Sequence, residues 1–132
     1  MPPARESVPA LDFSPLEAAS AAVSSAAQKF MAARPAPDVR PSKSQVAKIN
    51  RVLLQVERAF NRQSGLPGRP YYKNELYSPG RLWDTVPFPA VGDAMLDGQW
   101  DAARAQLPLA TETVLGIAEA IDAVTAELMA LK

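Results

Sequence analysis

NRQSGLPGRPYYKNELYSPGRLWDTVPF, Asn61 to Phe88, is a non-helical stretch set between strongly helical flanks. It holds all three tyrosines (Tyr71, Tyr72, Tyr77), Trp83, four prolines and three glycines. Connections between helices in compact domains usually need only a few residues, and a much longer one is functional or disordered. Disordered segments are poor in aromatic residues. An arm that concentrates them is therefore expected to be ordered, with its rings packed against something inside this chain or outside it.

On the N-terminal side, Ser14-Pro15-Leu16-Glu17 reads as a helix start, with Ser14 as cap and Glu17 closing a capping box. Leu16, Ala19, Val23, Ala26 and Phe30 then recur at helical spacing until Arg34-Pro35-Ala36-Pro37 stops the helix. The alanines keep that face thin, which allows close helix approach. Ser42 with Gln45 opens a second helix, whose stripe of Val46, Ile49, Leu53, Val56 and Phe60 is cleanly amphipathic. Beyond the arm, Pro89 starts a short helix that Gly98 is placed to end in a left-handed conformation. From Trp100, apolar residues alternate at three and four through Ala103, Leu107, Ala110, Val114, Ile117 and Ile121 to Leu131. This last helix is expected to kink at Pro108, because the apolar register continues unchanged across the proline. The expected architecture is all-α: an up-and-down four-helix bundle with helices at about 14–33, 42–62, 89–97 and 99–131, an ordered arm at 63–88 and an N-terminal extension at 1–13. The long helix has more apolar surface than one narrow stripe needs. Either another chain or the folded-back arm covers the surplus.

The 132 residues suit one domain. Histidine and cysteine are both absent, which excludes disulfides, a thiol nucleophile, a Cys/His zinc site and a histidine general base. The formal charge is zero but uneven: Arg40 to Arg62 holds six basic residues and one acid, whereas Asp84 to Lys132 holds eight acids and two bases. A basic helix lying beside an acidic one explains this more simply than a phosphate-binding face. No apolar run approaches the ~18–20 residues of a membrane span, and the first ten residues lack the apolar core of a signal peptide. A soluble chain is expected, with its compartment undetermined.

Several runs together carry a resemblance: Val56-Glu57-Arg58-Ala59-Phe60, Gly65-Leu66-Pro67-Gly68-Arg69-Pro70-Tyr71-Tyr72, Leu76-Tyr77-Ser78-Pro79, Phe88-Pro89-Ala90 and Asp93-Ala94-Met95. In this order they resemble the transferrin-receptor-like dimerisation domain, the C-terminal helical domain of glutamate carboxypeptidase II-like zinc peptidases. The resemblance implies a non-catalytic bundle that builds a homodimer, with an arm that leans on the catalytic domain and closes one side of the substrate site. It implies that zinc belongs to that catalytic domain and that this chain holds no cofactor or metal. The chain then looks like an excised or separately made domain, whose partners are a second copy of itself and the parent's catalytic domain, with no nucleic acid and no membrane insertion. Arm contacts to the catalytic domain fall on Arg69, Tyr71, Tyr72 and Tyr77, and dimer contacts on Val114, Leu115, Ala118 and Ile121. In glutamate-specific members a Lys-Tyr pair before the Phe-Pro run holds the substrate's side-chain carboxylate. Leu82 and Trp83 stand there in this chain, so Arg81 and Trp83 become the pocket candidates and a glutamate preference is not implied. The alternative is a free-standing helical adaptor that binds an acidic partner or nucleic acid through its basic second helix.

Overall fold

A computed structural model of the chain describes residues 9–79 and 85–131. Along them run α1 (Ser14–Ala32), α2 (Lys43–Ala59), β1 (Tyr77–Pro79), β2 (Thr85–Pro87), α3 (Pro89–Leu96) and α4 (Trp100–Met129). The chain is an all-α bundle with a very small sheet in its arm. At 30 residues α4 is about 45 Å long, and the other three helices pack against it.

The three long helices alternate in direction. Leu16 and Ala19, early in α1, share a cluster with Ala103, Leu107, Ala110 and Val114 of α4, while Ala27 and Phe30 lie with Ile121 and Val124. So α1 and α4 run the same way. α2 runs against them, since Lys48 near its start pairs with Glu127 at 3.2 Å and Arg62, just past its end, reaches Glu112 at 3.7 Å. The short α3 lies at the beginning of α4, where Val91 and Ala94 complete the buried cluster. The thin alanine face of α1 is used as expected: Ala19 and Ala26 are almost fully enclosed.

Local chemistry sets the ends. Ser42 and Gln45 form the reciprocal capping box, at 3.1 Å and 2.8 Å. The box expected at Ser14 does not form. Phe13 takes the cap position without a side-chain bond, and Asp12 accepts the Ser14 amide at 3.0 Å instead. α2 ends before residue 62 because the arm captures its last turn: Asn61 bridges to Asn74 and the Arg62 amide donates to the Lys73 carbonyl at 2.8 Å. Gly98, at φ +68°, closes α3 as expected, with the amides of Gly98 and Gln99 returning to Met95 and Ala94. α4 continues as one helix through Pro108, whose missing amide leaves the Arg104 carbonyl without its usual partner.

α2 has the strongest amphipathic pattern in the chain, yet none of its residues is buried. Leu53 is 42% exposed and Leu54 50%, and Val46 is open as well.

Candidate functional site

The arm is built on backbone hydrogen bonds. Gly65 donates to the Arg62 carbonyl at 3.0 Å, Leu66 to Tyr72 at 2.8 Å, and Glu75 back to Phe60 at 2.9 Å. A two-stranded antiparallel ladder follows, in which Tyr77 faces Pro87 and Ser78 faces Val86. These strands leave no periodic signal in the sequence: each is three residues long and ends in proline. Gly65 adopts φ +70°, and a Cβ added there would lie 2.2 Å from the Pro70 carbonyl oxygen, so the turn accepts only glycine. Phe88 is left-handed at φ +46°, a strained setting for a bulky residue. It turns the chain from β2 into α3, and its carbonyl accepts the amides of Val91 and Gly92.

Two arginines fasten this arm to the helices. Arg62 donates to the Leu109 carbonyl at 3.0 Å and the Thr113 hydroxyl at 3.4 Å, and its Nε faces Glu75 at 3.4 Å. Glu75 is only 2% exposed, and burial raises its carboxyl above the usual carboxylate range, with Arg62 opposing the shift. Arg69 pairs with Asp93 of α3 at 2.6 Å and lies 5.4 Å from the centre of the Tyr72 ring. Sequence reasoning missed Arg62, Glu75 and Asp93 as a fastening set; the isolated charges of the arm and its flanks were the available signal.

The tyrosines face outward. Tyr71 is 81% exposed, Tyr77 and Tyr72 are also exposed, and Tyr71 meets Tyr72 edge-on at 6.2 Å. The arm is thus ordered from within while its rings remain available. Arg69 differs from them in that its guanidinium is engaged by Asp93 inside the chain. Arg81 and Trp83 lie outside the described residues.

The four dimer candidates separate. Val114 (4% exposed) and Ala118 are enclosed by the chain's own core. The helical period that marked them as apolar also turns them inward. Leu115 is exposed beside a hollow lined by Asp12, Arg104, Glu112 and Glu119. Ile121 is half-buried, on the floor of a wholly apolar cavity with Ala27, Phe30, Leu53, Val56 and Val124.

Among the described residues no group of three potential metal ligands comes together, and no helix is long and apolar enough to cross a membrane. The model of the transferrin receptor-like dimerisation domain matches residues 11–122, and the chain belongs to that family. An inactive zinc metalloprotease of Schizosaccharomyces pombe is 37% identical over 59 residues, which cover 44% of this chain and 7% of that relative. The match thus spans a small part of a much longer protein. Membership of a dimerisation-domain family implies self-association and a non-catalytic role.

Proposed function

We propose that this chain is the dimer-building domain of a zinc peptidase of the glutamate carboxypeptidase II class, and that its arm docks on the parent's catalytic domain to close one side of the substrate site. The observation that carries this reading is the arm itself. It is held by its own backbone bonds and by Arg62 and Arg69, yet it presents Tyr71, Tyr72 and Tyr77 to the outside. A rigid platform with exposed aromatic rings suits a protein contact, because such rings bury large area at low entropic cost. The chain lacks histidine and cysteine, the usual ligands of a catalytic zinc, so in this reading zinc and the catalytic step belong to the other domain.

The test compares this chain with a longer protein that contains it. Amide exchange in residues 64–79 is expected to be slower in the longer protein, where the arm is covered, than in the isolated chain. Replacing Tyr71 and Tyr77 with alanine should remove that difference. Equal exchange in both proteins would take the arm out of any contact with a catalytic domain.

A further inference from the structure

The joint between arm and bundle is made against local preference. Phe88 sits at φ +46° and ψ +62°, a left-handed conformation that bulky residues rarely adopt. It also precedes Pro89, and a residue before proline is ordinarily driven to extended backbone. Glycine or asparagine would make this turn more easily. The surroundings show what phenylalanine adds. Its ring is half-buried and packs against the core cluster to which Leu16, Val91 and Ala94 belong. Its amide donates to the Leu76 carbonyl at 2.9 Å, and its carbonyl accepts the amides of Val91 and Gly92. The next residue, Pro89, is fully buried, and Leu76 rests on the same cluster as the Phe88 ring.

We propose that Phe88 is a positioning residue: its ring, lodged on the core, holds the strained turn, and the turn fixes the β1–β2 ladder and Tyr77 in one pose against the bundle. The proposal rests on the reading of the arm as a docking platform and names what keeps that platform in place. Two demands meet at this position. The chain must turn from β2 into a helix that starts on a buried proline, which suits a residue without a side chain. The ladder must also be tied to the core, which needs a large apolar side chain. Beyond the Leu76–Phe88 bond the ladder reaches outward, where Tyr77 faces Pro87 in register and is exposed. A strained turn persists only where its surroundings over-determine it. Here the ring, the amide, the carbonyl and the following proline are all engaged. Arg62 and Arg69 fasten the stretch before β1, and Phe88 fastens the chain after β2.

Two variants of the full chain separate ring from backbone. Phe88→Gly keeps the turn and removes the tie, whereas Phe88→Leu keeps an apolar anchor. Since the chain has no cysteine, Tyr77→Cys combined with Asp122→Cys, both at exposed positions, accepts one spin label on the ladder and one on α4. The distance distribution between the labels is expected to be narrow with Phe88 and with Phe88→Leu, and broad with Phe88→Gly. Amides of residues 76–78 in Phe88→Gly should exchange about 10-fold faster or more, measured against those of α4 between residues 107 and 118. A label distribution that Phe88→Gly leaves narrow overturns the proposal even if the variant is less stable, because the ring then supplies packing alone. A broad distribution in the parent chain also overturns it, whether or not Phe88→Gly folds. These readings need no catalytic domain. Equal arm exchange in the isolated chain and the longer protein would remove the docking platform and leave the tie at Phe88 standing.

Discussion

Two glycines of the arm separate backbone strain from steric clash. Gly65 and Gly68 share nearly the same positive φ, +70° and +72°, but a Cβ at Gly68 meets nothing within 4 Å while one at Gly65 strikes the Pro70 backbone. Gly68→Ala should therefore cost about 1 kcal/mol, the left-handed penalty alone. Gly65→Ala should cost about 3 kcal/mol or more, because backbone must move as well. Urea denaturation of the two variants checks the ordering, and equal midpoints would mean that the turn relaxes freely. Glu75 offers a second residue-level test. Its folded carboxyl is raised, mainly by burial, so the folded chain holds that proton more tightly than the unfolded one. Its contribution is most favourable below the ordinary carboxylate range and is lost as pH rises through the raised value. The stability of Glu75→Gln relative to the parent chain should accordingly increase from about pH 4 upward. A parent that gains on the variant over that range would show that Arg62 outweighs burial.

Among the elements, the sequence told which faces are apolar but not what covers them. The α1 and α4 stripes and the Ser42 box are local patterns, and they stand where periodicity puts them. So does Gly98. Ser14 misled because Asp12, two residues earlier, supplies a stronger acceptor. The β1–β2 ladder was not legible because three-residue strands ending in proline leave no alternation to read. The fastening role of Arg62 was not legible, since its partners Leu109 and Thr113 lie far along the chain and no spacing rule connects them. α2 is the instructive case. Its stripe is the clearest in the chain, yet Val46 and Leu53 remain open, because an amphipathic period is satisfied equally by an internal or an external mate.

For the whole molecule, this imbalance sets an order of local stabilities. α1, α3 and α4 share the buried cluster, whereas α2 is held chiefly by its side against α4, including Lys48–Glu127, an ion pair with an exposed lysine that adds little. Helical propensity alone does not hold a 17-residue helix in water. At low concentration α2 should therefore open well below the global unfolding energy, and its amides should exchange faster than those of α4 between residues 107 and 118. Self-association would change that order by mass action, since a species that binds only the folded state stabilises it in proportion to the logarithm of its concentration. The melting temperature should then rise with protein concentration, and the added protection should concentrate in α2 and in the end of α1 around Phe30. Exchange measured at two concentrations on either side of the dimer midpoint reads both effects. A melting temperature that rises while α2 protection does not would place the dimer contact on some other face of the bundle.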